Sequence, residues 1–146
     1  GMATDTPMPG DYDGDGKTDL VTADNGAARV SVLRGNGTGT FAAALSFTVG
    51  TSPNAVAIAD LGGTAAPDIA VATLTSPGLD LLVNDGAGSF TPAPPRATLG
   101  SSPQWITPID VDADGLTDLA VPCRSADAVV VLLARPPGPP PFSSRL

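Results

Sequence analysis

Apolar residues in this chain come in short, β-branched runs separated by stretches rich in Gly, Pro, Asp and Asn, the pattern of strands joined by turns. The middle of the sequence shows it best. Ala55–Ala59, Asp68–Ala72 and Leu79–Val83 each read as a strand, and a fourth runs from Phe90 to about Leu99. That fourth run holds Pro92, Pro94 and Pro95. Proline cannot donate to a strand ladder, so this strand belongs at a sheet edge. Pro9 and Pro108 fall where the first strand of the middle stretch has Ile58, which makes the first strand an edge as well. The expected unit is therefore a four-stranded antiparallel meander with its first and last strands outermost.

The unit repeats at 49 to 50 residues. Asp19-Leu20-Val21 returns as Asp68-Ile69-Ala70 and Asp118-Leu119-Ala120, each preceded eight residues earlier by Asp11, Asp60 or Asp110. A Gly-rich turn ending in Phe occurs at Asn36–Phe41 and again at Asp85–Phe90, and Phe142 follows a proline run at nearly the same phase. Gly50-Thr51-Ser52-Pro53 matches Gly100-Ser101-Ser102-Pro103. Four strands per period, repeated, is the signature of propeller blades. The expected fold is all-β, with about three such blades: blade 1 near residues 4–49, blade 2 near 50–99 and blade 3 near 100–134. Together they make one propeller region, 1–134, followed by a Pro-rich tail, 135–146, that holds a remnant of the last blade. The third unit is expected to break off before its outer strand forms. Closed propellers have typically 4–8 blades. Three units therefore imply a partial propeller: either a fragment of a larger one or a homo-oligomer in which each chain is half of a six-bladed ring.

Composition sharpens this picture. Gly and Pro exceed a fifth of the residues, while 42% of the chain is hydrophobic, which suits turn-rich strands better than disorder. All fifteen acidic residues are Asp, a residue of turns and caps rather than helices. The formal charge of −8 makes nucleic acid an unsuitable partner. The sequence has no 18-residue apolar run, so no membrane insertion is expected. Gly1-Met2 reads as a tag scar ahead of a start methionine, so an export signal is expected outside this sequence. The chain has no His, hence no common general base and no usual zinc ligand. With no convergent acid–base pair in view, no catalytic residue is assigned and the chain is read as not an enzyme.

The aspartates are not scattered. Asp11-Tyr12-Asp13-Gly14-Asp15-Gly16-Lys17-Thr18-Asp19 and Asp110-Val111-Asp112-Ala113-Asp114-Gly115-Leu116-Thr117-Asp118 share one pattern, Asp-x-Asp-x-Asp-Gly-x-x-Asp. Calcium takes six to eight oxygens at about 2.3–2.6 Å. Alternate residues of a curled loop supply carboxylates from Asp11, Asp13 and Asp15, or Asp110, Asp112 and Asp114. Gly16 or Gly115 permits the turn. The carbonyl of Lys17 or Leu116 and the carboxylate of Asp19 or Asp118 complete the set. An EF-hand would need a Glu at position 12, where this chain has Thr22 and Val121. Two calcium ions per chain are expected. The middle loop keeps only Asp60 and Asp68, with Gly62, Thr64 and Ala65 in the other positions, and is expected to hold its shape by hydrogen bonds without an ion.

Asp11–Val21 followed by Val30–Phe41 resembles the FG-GAP/VCBS repeat family, and the resemblance runs along essentially the whole chain, weakening after Leu133. It implies a calcium-stabilised propeller, extracellular or at the cell surface, serving adhesion, ligand binding or scaffolding. A carbohydrate-binding, lectin-like propeller is the alternative, and an accessory part of a polysaccharide-degrading enzyme a remote one. Its protein or glycan ligand is not legible in the residues. Trp105 is expected to fill space between blades, Tyr12 to cover the base of its blade, and Cys123 to be half-buried. Arg29, Arg34, Arg124 and Arg135 are read as solvated rim residues.

Overall fold

The computed structural model describes residues 7–61, 66–75, 78–100, 102–134 and 142–145. These form three four-stranded antiparallel sheets. Blade 1 comprises β1 (Met8–Gly10), β2 (Asp19–Asp24), β3 (Arg29–Leu33) and β4 (Leu45–Thr48). Blade 2 comprises β5 (Pro53–Ala59), β6 (Asp68–Thr73), β7 (Gly78–Asn84) and β8 (Phe90–Thr98). Blade 3 comprises β9 (Thr107–Ile109), β10 (Asp118–Cys123), β11 (Ala128–Ala134) and β12 (Phe142–Arg145). Within each sheet the strands lie side by side in chain order, so every blade is a meander, and its prolines are on the outer strands except Pro122, which lies on the inner strand β10 opposite Val129. Pro9 stands opposite Leu20, Pro108 opposite Leu119 and Pro92 opposite Leu82. No helix among the described residues is long and apolar enough to cross a membrane.

Blade 3 departs from expectation in one respect. It does form an outer strand, because Phe142–Arg145 pairs with β11 from Ala134 back to Val131. Four residues suffice for the ladder, since the strand needs only one neighbour. Thr4–Thr6, expected at the start of blade 1, and Arg135 with the rest of the proline run lie outside the described residues.

The register is the same in all three sheets: Leu20 faces Leu33, Ile69 faces Leu82 and Leu119 faces Leu132. Because side chains alternate along a strand, each blade has one face toward its predecessor and one toward its successor. Val21, Val30, Val32 and Tyr12 of blade 1 pack on Ile69, Val71, Leu82 and Phe90 of blade 2. The other face of blade 2, with Ala70, Ala72, Leu79 and Leu81, packs on Leu119, Val121, Val130 and Leu132 of blade 3. The hydrophobic cores therefore lie between sheets. β6 is buried at all six positions, which explains why its sequence is apolar on both faces. Cys123 is fully buried in the second core rather than half-buried, since its position on β10 points at blade 2. Trp105 does not fill an interblade space within the chain; it is 58% exposed.

Candidate metal centres

The first aspartate loop joins β1 to β2, and its shape follows from its own side chains. Asp11 accepts the N–H of Gly14 through one carboxylate oxygen and that of Gly16 through the other, both at 2.9 Å. Asp13 accepts the N–H of Asp15 at 3.3 Å, and Asp15 that of Lys17 at 2.9 Å. Gly14 and Gly16 take left-handed φ values of 75° and 80°, which glycine adopts without a steric cost. So curled, the loop brings carboxylate oxygens of Asp11, Asp13 and Asp15 within 4.8 Å of one another. The Lys17 ammonium lies 2.5 Å from the second oxygen of Asp15. That hydrogen bond holds the Asp15 carboxyl below its usual range and raises Lys17.

The third-blade loop joins β9 to β10 and repeats the curl. Asp110 accepts the N–H groups of Asp114 at 3.2 Å and Gly115 at 3.0 Å, and Asp114 accepts that of Leu116 at 2.8 Å. Ala113 stands in Gly14's place with φ 61°, so here an alanine carries the left-handed conformation. The converging carboxylates are those of Asp110, Asp112 and Asp118. The two clusters thus differ in one member: Asp15 belongs to the first, whereas its counterpart Asp114 is outside the second group and Asp118 is inside it.

The ninth-position aspartates have a structural task that the ligand pattern hid. Asp19, Asp68 and Asp118 are at most 1% exposed. Asp19 accepts the N–H of Tyr12 at 2.9 Å and of Gly35 at 2.7 Å. Asp68 does the same for Leu61 at 2.9 Å and Asn84 at 2.8 Å, and Asp118 for Val111 at 2.9 Å and Ala134 at 2.7 Å. One carboxylate in each blade therefore ties the loop to the end of the third strand. The sequence held the signal in the middle blade, where Asp68 persists although positions three and five are no longer carboxylates. Asp60 is exposed, and residues 62–65 of that loop lie outside the described ones.

The first loop also takes part in the contact between blades. Tyr12 is buried against blade 2, its hydroxyl donating to the Met8 carbonyl at 3.0 Å. Burial, with the nearby Asp19 carboxylate adding to it, pushes its phenol up to about 12. The Asn84 amide of blade 2 donates to the Tyr12 carbonyl at 2.8 Å. Arg34 is half-buried, contrary to its reading as a rim residue. Its Nη2 donates to the carbonyls of Ala87 at 3.1 Å and Gly88 at 2.8 Å in blade 2, and its Nε lies 3.7 Å from an Asp13 oxygen. A Cβ on Gly88 would come within 2.7 Å of Asp13 and 2.9 Å of Arg34, so only glycine allows this approach. Two cations thus border the first cluster. In blade 3 the matching positions are Leu116 and Leu133, so the second cluster has neither.

Both clusters offer only carboxylate oxygens from exposed or part-exposed loops, apart from buried Asp118. That donor set fits a hard cation such as calcium. No match to the chain was found among curated proteins or among solved structures. The family model described as FG-GAP-like repeat matches residues 11–71 and again 63–121. Those two stretches take in both aspartate loops and all of β2 through β9, and on that match the chain belongs to the FG-GAP-like repeat family.

Proposed function

We infer that this chain is a non-catalytic, calcium-stabilised propeller module that works outside the cell or at its surface in adhesion, ligand binding or scaffolding. The observation that carries the reading is the convergence of three carboxylates in each of two loops with one sequence pattern. Asp11, Asp13 and Asp15 would hold one ion, and Asp110, Asp112 and Asp118 another. The ion's part would be to neutralise crowded carboxylates, which otherwise repel one another and loosen the curl. Asp19 and the Lys17 carbonyl, with Asp114 and the Leu116 carbonyl, remain in the proposed ligand sets.

Extracellular calcium modules bind with Kd of about 10⁻⁴–10⁻³ M, which suits a fold that becomes rigid on reaching millimolar calcium. Calorimetry on chelated protein is expected to count two ions per chain. Asp13→Ala and Asp112→Ala should each remove one ion and part of the calcium-dependent rise in Tm. A site at a hundred times its Kd contributes about 2.7 kcal/mol. Asp60→Ala should leave the ion count unchanged. Three equal sites, or none, would overturn the assignment. Glycan and protein arrays probed in calcium, with Trp105→Ala as control, distinguish a glycan ligand from a protein one.

A further inference from the structure

Because the three blades share one register, the partner each face is shaped to meet can be read by position. The face that blade 1 turns to blade 2 carries Val21, Val30, Val32 and Tyr12, all buried. The same positions in blade 3 are Ala120, Val129, Val131 and Val111. Among the described residues they are not closed over as their blade 1 counterparts are: Val129 is 54% and Val111 49% exposed, Ala120 and Val131 are half-buried, and Ile109 at 47% and Trp105 at 58% lie on the same blade. Val129, Val111, Ile109 and Trp105 account for all but Phe41 and Leu45 of the exposed large hydrophobic side chains among the described residues. An apolar face of this kind marks an association site.

The opposite end of the stack carries the matching half. Blade 1 turns Leu20 and Leu33 outward, at the positions where Ile69 and Leu82, then Leu119 and Leu132, fill the two interblade cores. Beside them Asp24 accepts hydrogen bonds from Thr22 at 3.0 Å and from Ser31 and Arg29 at 2.7 Å, which ties these polar groups together within the sheet. The rims agree as well. Asn25 of blade 1 donates across to the Pro53 carbonyl at 3.0 Å, and Asn54 of blade 2 to that of Pro103 at 2.9 Å. Blade 3 has Arg124 in Asn25's place and Gln104 in Asn54's, and both line an open hollow of about 510 Å³ beside Trp105 and Val129. The Gln104 amide already donates to the Ser102 carbonyl at 3.1 Å, so the rim offers its second N–H and the Arg124 guanidinium.

We propose that a second copy of this chain seats its blade 1 on blade 3 of the first, head to tail, and that two such contacts close a six-bladed ring. The contact is the one the chain already makes twice internally, continued once more at each end. A head-to-tail contact forms a ring if its rotation closes and a filament if it does not. Six blades lie within the range in which propellers close, typically 4–8.

Light scattering across protein concentrations in calcium tests this. Wild type is expected at twice its 14.4 kDa chain mass. Val129→Asp, which disables the blade 3 face, and Leu20→Asp, which disables the blade 1 face, should each give monomers, with far-UV circular dichroism confirming that both fold. Mixed in equal amounts they should recover a two-chain species, since each brings the intact half the other lacks. Trp105, the only tryptophan, should emit at longer wavelength in the Val129→Asp monomer than in the wild-type ring. A wild-type monomer at every concentration overturns the proposal, as do filaments. So does a Leu20→Asp protein that stays dimeric, because that points to two blade 3 faces meeting each other. Folded variants that fail to complement overturn it too.

Discussion

Asp68 isolates the structural task that the ninth-position carboxylate performs in all three loops. It sits in the blade that lacks carboxylates at positions three and five, yet it is fully buried and accepts the backbone N–H groups of Leu61 and Asn84. Removing it leaves buried donors unpaired, at about 1–3 kcal/mol each. Asp68→Ala should therefore lower stability by about 3 kcal/mol in calcium and in chelator alike, measured by denaturant melts. A loss seen only in calcium would mean that the residue acts through an ion. Tyr12 offers a second test at this scale, since it is the only tyrosine and its titration can be followed by phenolate absorbance without interference. Its phenol stands at about 12 in the folded chain against 10.0 for a free one. The unfolded chain therefore releases its proton first as pH rises. The stabilisation is complete below pH 10 and declines between 10 and about 12, by a total on the order of 2 kcal/mol. A Tyr12 transition near 10 in folded protein would contradict the burial.

At the scale of elements, the first aspartate loop and the turn between β7 and β8 meet through Arg34. Its guanidinium spans the Asp13 carboxylate and the Gly88 carbonyl, so it braces the interblade contact while offsetting charge at the first carboxylate cluster. Arg34→Leu, which copies Leu133 of blade 3, should move two quantities in opposite directions. Stability in chelator should fall by about 1.5–3 kcal/mol as the charged hydrogen bonds are lost. Calcium affinity of the first loop should rise, because a positive charge leaves its neighbourhood. Paired chelator melts and calorimetry check both; a fall in affinity would show that Arg34 orders the loop more than it competes with the ion.

At the scale of the molecule, stability is distributed along a stack whose two cores join blade 1 to blade 2 and blade 2 to blade 3. Blade 2 is covered on both sides by the two cores, whereas blades 1 and 3 are covered on one side by described residues. Hydrogen exchange on the Val129→Asp monomer in calcium should therefore find the amides of β6 the slowest and those of β9 among the fastest, since in the single chain β9 is a three-residue edge strand exposed throughout. In the wild-type protein the difference between blades should narrow, because ring closure covers the outer faces of blades 1 and 3; a wild type as uneven as the variant would count against closure.

The sequence by itself determined whatever acts over a few residues. The meander, the outer strands marked by Pro9, Pro92 and Pro108, and the curl of both aspartate loops all follow from backbone preferences and hydrogen bonds spanning at most five residues. The 49–50-residue period then carried the same reading to every blade. Tertiary structure decided what depends on residues far apart in the chain. Asp19 and Asp118 read only as ligands until the residue sixteen positions later is brought to them, which gives each a structural task as well. Arg34 looks like a rim residue until blade 2 lays Gly88 against it, 54 positions on. The valines of β11 read alike along the strand, but Val130 is buried because blade 2 lies on its side, and Val129 is exposed because the other side meets none of the described residues. A side chain's role is set by its neighbours, and alternation along a strand says which residues share a face without saying what covers it.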